Sequence, residues 1–323
     1  MARTLTQPVF LCVSVDCECD KGAAWRTRRP LSFTAVHDGI ANRLAPLFAK
    51  YHARATYLLS PELLRDRETV ACLATLAGAA ELGTHLHGEF AEPGAHEPEV
   101  TRAFQRDYPE AVERAKLGSL TDAFVTAFGH RPRSFRAGRF GIGASTLGIL
   151  EALGYWVDSS VTPFVDWRGQ APGLSFRGAP TQPYHPHVCA PERRGTSRVL
   201  EVPVTIRPSR WPVVRRWTQR WLRPTHGSAR DLVALARDEI AAAGPGPVVL
   251  NAMLHNVEVV PGASPYAPDE LAARRILARL EALLAFAAGE GIAVVGLGEI
   301  PALLAEARAR PEAGRAGELR GSG

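Results

Sequence analysis

Short β-type runs alternate with amphipathic helical runs along almost the whole chain, and this alternation limits the fold more than any other feature. VFLCVSVD (9–16) reads as a first strand, rich in β-branched residues. Residues 34–52 carry apolar side chains at helical spacing behind a capping Thr34. Strand 54–60 is followed by a helix over 61–77 opened by Pro61, then by strand 80–87 and a mostly helical stretch over 98–128. Further strands are expected at 133–138, 155–159, 198–206, 247–254 and 291–297. Helices are expected over 144–153, 228–243 and 268–289, with a short one after the last strand. About seven or eight βα units in one chain predict α/β architecture with parallel strands closed into a barrel. With 46% hydrophobic residues, the 323-residue chain has enough apolar material for one large core. Residues 1–307 are therefore expected to form a single barrel, interrupted by a long ordered loop at 160–198 and followed by a loose tail at 308–323.

In such barrels chemistry collects where the strands end. The first strand runs into Asp16, Cys17, Glu18, Cys19 and Asp20. Side chains alternate faces along a strand, so Asp16, Glu18 and Asp20 share one face, and Cys17 and Cys19 take the other. That parity favours a carboxylate site over a thiolate one, and no close run of further Cys or His completes a zinc–thiolate set. The third strand ends in THLHGEF. His85 and His87 face one way, and Glu89 joins them if the strand continues. Two imidazoles and a carboxylate on one face make a ligand set that leaves metal positions open for water and substrate. Arg136 and Arg139, Asp158 and His255 end three more strands. An acid, a His pair, an Arg, an acid and a His at five strand ends point to an enzyme.

These stretches resemble the NodB-like polysaccharide deacetylases, and most closely their WalW-type branch. The matching segments are VSVDCECD, ELGTHLHGE, SFRAGRFGIGASTLGILEALGYWVDSSVTP and LNAMLHNVEVVPGASPY, in that order between residue 11 and about 266. The resemblance implies a distorted (β/α) barrel of seven or eight strands, one divalent metal (usually Zn2+) and an acetylated sugar or glycan substrate. It implies Asp16 as catalytic base, His85 as a metal ligand, Arg136 as the residue orienting the base, and His255 as general acid. It also implies an acid beside His255, for which Asp158 and Asp166 both qualify. Two positions depart from the family pattern. Cys17 stands where a second Asp is usual, and the second metal His, normally four residues after the first, is replaced there by Glu89. The ligand set expected here is Glu18, His85 and His87, with Glu89 in reserve.

The net charge is +5, but the Arg residues are scattered and no nucleic-acid motif is present, so no nucleic-acid partner is expected. Five cysteines and no apolar leader among the first ten residues predict reduced thiols and a cytoplasmic address. Residues 210–223, RWPVVRRWTQRWLR, place Trp at helical spacing among Arg. They read as a helix packed over the barrel or, alternatively, as one lying at a membrane interface, where it would suit a lipid-linked sugar. Two rivals remain open at this level: hydrolysis of another non-peptide C–N bond, such as a formamide or imide, and a metal-free carbohydrate-binding barrel.

Overall fold

The computed structural model describes residues 7–27, 29–94, 104–209 and 218–309. Its centre is a curled, parallel eight-stranded sheet, a distorted (β/α) barrel flanked by helices. The strands are β1 (Val9–Cys17), β2 (Thr56–Leu59), β3 (Glu81–Leu86), β4 (Ser134–Ala137) and β5 (Val157–Asp158). Short β6 (Pro186–His187) and β7 (Ala190–Arg194) form a hairpin, β8 (Leu200–Glu201) rejoins the sheet, and β9 (Ile206–Ser209) pairs antiparallel with β10 (Thr218–Trp221). β11 (Val248–His255) and β12 (Ala293–Val294) complete the set. The barrel order is β11-β1-β2-β3-β4-β5-β8, with β12 pairing β1. The helices are α1 (Ala45–Lys50), α2 (Arg67–Ala74), α3 (Glu110–Phe128), α4 (Thr146–Leu153), α5 (Ala229–Ala242), α6 (Glu270–Gly289) and α7 (Ile300–Ala309).

Alternation along β1 sorts its side chains as expected. Val13, Val15 and Cys17 enter the apolar layer between sheet and helices, where Leu232, Leu235, Leu280 and Leu283 of α5 and α6 meet them. Cys12, Ser14 and Asp16 face the other way, and Cys12 packs with Leu58, Val202 and Val249. All five cysteines are free thiols.

Register sets the level of the functional residues. Parallel pairing of β1 with β11 puts Asp16 opposite His255, and pairing of β3 with β4 puts His85 opposite Arg136. Residues far apart in sequence thus arrive at one height at the C-terminal ends of four strands.

Several expected elements differ from those observed. The helix expected from 34 begins as a π-helical segment, Ala35–Leu44, and continues into α1. The helix expected from Pro61 starts instead at Arg67, because Asp66 caps it by accepting from the Thr69 N–H at 2.8 Å. The strand expected over 198–206 is cut to Leu200–Glu201, since Pro203 cannot donate to a ladder. Residues 210–217 of the Trp- and Arg-rich segment lie outside the described residues. The described part, Thr218–Trp221, is a strand rather than a helix. Tail residues 310–323 are also outside the described set. Among the described residues no helix is long and apolar enough to cross a membrane.

Candidate metal and catalytic site

At the C-terminal mouth of the barrel lies a cleft of about 710 Å³. Asp16, Glu18, His85, His87, Glu89 and His255 all line it, so these six strand-end residues singled out from sequence converge there, and Arg136 lies directly behind Asp16.

Glu18, His85 and His87 are buried, and one donor atom from each lies within 4.8 Å of the others. The tautomer of His85 is fixed by its surroundings. Its Nδ1 lies 3.0 Å from the Arg136 carbonyl oxygen, which can only accept, so Nδ1 carries the proton. In the neutral tautomer Nε2 bears a lone pair toward Glu18 Oε1, 3.4 Å away, and Nε2 has no hydrogen-bond partner. A buried lone pair facing a carboxylate is unfavourable unless a cation lies between them. His87 lies between two carboxylates: Nδ1 is 3.2 Å from Glu89 Oε1, and Nε2 is 2.9 Å from Glu18 Oε1. A carboxylate behind a histidine is the arrangement that orients an imidazole toward a metal. The chemistry of this donor set fits a divalent ion. Glu89 stands behind His87 and is held by Arg139 at 2.6 Å, so it supports the triad rather than joining it.

Without a cation, electrostatics distribute the charge among these groups. Burial alone would push the His87 pKa down, but the charges and hydrogen bonds of Glu18 and Glu89 outweigh it and raise it to about 9. Burial opposes ionisation of Glu18 too, yet His87 and Lys21 hold its carboxyl well below the usual range. Lys21 Nζ lies 2.7 Å from Glu18 Oε2, which leaves Oε1 as the oxygen facing the imidazoles. Asn256 clamps the Glu18 backbone from both sides: its side chain accepts from the Glu18 N–H at 3.0 Å and donates to the Glu18 carbonyl at 2.9 Å.

Asp16 is held by Arg136, whose Nη1 donates to Oδ1 at 2.6 Å. The guanidinium is fully buried and also donates to the Ser159 carbonyl, Ser159 Oγ and Ser14 Oγ, each at 2.8 Å. Burial raises the Asp16 pKa, but Arg136, His85 and His255 together bring it below its ordinary value. With Oδ1 taken, Oδ2 faces the cleft, 4.0 Å from His85 Nε2 and 3.9 Å from His255 Nε2.

The partner of His255 differs from the one expected. Asp158 is fully buried, accepts from Ser160 Oγ at 2.6 Å, and stands opposite Glu201 of β8. Burial and the charge of Asp158 push the Glu201 carboxyl well up. Asp166 is engaged by Arg168 at 2.7 Å and Arg177 at 3.3 Å. The acid beside His255 is Glu258, whose Oε1 is 3.0 Å from His255 Nδ1 and is also bonded by Arg223. A short turn, Asn256–Val259, brings Glu258 back onto its own strand end. The spacing His255-x-x-Glu258 is the sequence signal that could have found it. Asp20, expected on the same face as Asp16 and Glu18, turns away and accepts from the N–H groups of Thr34 and Ala35.

No protein-family model matches the sequence, and no curated protein does. Solved structures match. A proposed polysaccharide deacetylase from Mycobacterium smegmatis superposes with a TM-score of 0.55 at 16% identity, over 95% of this chain and 93% of its own. A proposed glycoside hydrolase/deacetylase from Parabacteroides distasonis gives 0.63 at 16% identity, over 94% and 72%. A GH57-type branching enzyme from Pyrococcus horikoshii gives 0.53 at 10% identity, over 92% and 70%. Likeness at these identities is one of fold, and the fold of this chain is the distorted (β/α) barrel that these structures share.

Proposed function

We propose that the chain is a metal-dependent hydrolase that removes an acetyl group from the nitrogen, or an oxygen, of a carbohydrate. The observation that carries this reading is the unpartnered His85 Nε2 aimed at Glu18, beside an Asp16 whose one oxygen is locked by Arg136 and whose other is open to the cleft. Glu18, His85 and His87 would hold the metal, which would polarise the acyl carbonyl and acidify a water. Asp16 Oδ2 would take the proton of the attacking water, as an ionised carboxylate can. Arg136 keeps that carboxylate charged and oriented. His255 Nε2, on the other side of the reacting centre, would pass a proton to the departing amine while Glu258 steadies Nδ1. Water adds to the carbonyl, the C–N bond breaks, and acetate and a free amine leave.

The branching-enzyme fold invites a glycoside-transfer reading. Such chemistry uses a carboxyl group kept protonated as general acid. Asp16 and Glu18 are instead both held below their ordinary pKa and tied to cations, which favours the hydrolase.

Elemental mass spectrometry of wild type and of a His85→Ala, His87→Ala double variant is the test. About one equivalent of a divalent metal in wild type, lost in the double variant, with acetate released from acetamido or O-acetyl sugars, is expected. Metal-dependent turnover of formamides or imides alone would shift the reading to another C–N bond. No metal after soaking, and no turnover, would leave a carbohydrate-binding barrel.

A further inference from the structure

Beyond the catalytic residues, the cleft lining is rich in cations. Lys21, Arg26, Arg139 and Arg223 line it against the carboxylates of Asp16, Glu18 and Glu89. Behind the lining, Arg136 and Glu258 offset each other in charge. A bound divalent metal would add two further positive charges. Three of the lining cations are held by carboxylates: Lys21 by Glu18, Arg139 by Glu89 and Arg223 by Glu258. Arg26 differs. It is exposed at the cleft, its backbone N–H is fixed by the Lys21 carbonyl at 2.9 Å, and among the described residues no carboxylate reaches its guanidinium.

The walls beside it are aromatic. Trp25, the residue before Arg26, packs edge-on against the His255 ring at 5.1 Å and against Tyr266 at 5.5 Å. Across the cleft Phe140 and Trp167 stack at 5.9 Å. Trp167 comes from the long loop at 160–198, so that loop forms part of the site. A half-buried aromatic slot suits the apolar faces of a sugar ring. A neutral sugar, however, uses none of the surplus positive potential, which instead concentrates anions in a cleft with low-dielectric walls.

We propose that the substrate is an acylated sugar bearing an anionic group, a phosphate ester or a carboxylate, and that Arg26 is the specificity residue that receives this anion at the mouth of the cleft. This inference rests on the deacetylase reading for the location of the acyl group but not for the anion contact itself. A guanidinium presents paired N–H donors that match both kinds of anion.

The test compares the metal-loaded wild type with Arg26→Gln and Arg26→Lys on three probes: methyl N-acetylglucosaminide, N-acetylglucosamine 1-phosphate and N-acetylglucosaminuronate. Wild type is expected to favour at least one anionic probe over the neutral one in kcat/KM. That preference should fall about tenfold in Arg26→Gln, mainly through KM, and be largely restored in Arg26→Lys. The better anionic probe identifies phosphate or carboxylate as the source. Equal kcat/KM on neutral and anionic probes, or a preference unchanged by Arg26→Gln, would overturn the inference while leaving the deacetylase reading intact. If no probe releases acetate, that reading fails separately, and calorimetric binding of glucose 1-phosphate and glucuronate decides the anion site. Binding weakened about tenfold by Arg26→Gln would support it; no binding, or equal binding by both proteins, would overturn it.

Discussion

At the scale of single residues, the most consequential side chain is one that performs no chemistry. Arg136 is buried with four hydrogen bonds, one of them to Asp16. Replacing it by Met would leave a buried carboxylate without its cation and take one partner from each of two serine hydroxyls, so Arg136→Met should cost about 3–5 kcal/mol, read as a lowered midpoint in urea unfolding. A variant as stable as wild type would mean Asp16 finds another partner. Asp16→Asn should behave differently. It removes the proposed base but none of the three proposed metal donors, so kcat should fall roughly 10²–10⁴-fold with metal content unchanged. Loss of metal in that variant would make Asp16 a ligand instead. Asp16, Glu18, His85, His87, Arg136 and His255 were all legible in the sequence because strand parity and strand ends reveal which side chains can meet. The support around them was not. Asn256 grips Glu18 through its backbone, and Glu258 reaches His255 only because the chain turns back at once; neither interaction leaves a periodic trace.

At the scale of elements, the site depends on how closely β3 and β4 approach at their C-terminal ends. A Cβ on Gly138 would lie 2.5 Å from the Leu86 carbonyl oxygen and 3.3 Å from the His87 ring. Gly138→Ala must therefore push β3 away from β4 and rotate His87. Metal affinity should drop about tenfold or more, measured by competition with a chromogenic chelator; unchanged affinity would show that the strand ends yield without cost to the triad. The order and type of most elements could be read from hydrophobic periodicity. Where the reading failed, local chemistry overrode the pattern: Pro203 ended a strand, Asp66 moved a helix start, and the Trp spacing that looked helical led into a strand at Thr218–Trp221. At Gly39, where the π-helical segment passes the Asn256–Val259 turn, a Cβ would lie 2.9 Å from Val260, so this close approach also has no signature beyond a single glycine.

At the scale of the whole molecule, the proposed metal and a proton would compete for one site, and this would couple stability to pH. In the metal-free protein His87 has its pKa raised from 6.5 to about 9. The stability it contributes is fully present below the unfolded value and is lost as pH rises through the folded one. The metal-free protein should thus lose Tm between about pH 6.5 and about 9, whereas the metal-loaded protein, whose His87 is already deprotonated, should not lose this contribution. Parallel Tm profiles for the two forms would remove His87 from the ligand set. The topology has a further consequence, for synthesis. Glu18, His85 and His87 all lie in the first third of the chain, but one edge of β1 pairs with β11, whose Asn251 is 237 residues beyond its partner Ser14. While the ribosome makes the intervening segment, the growing chain already carries all three proposed metal donors and still exposes the open backbone edge of β1. An exposed edge of that kind recruits other strands. The exposed interval for this chain is therefore late in translation, until β11 emerges to cover the β1 edge.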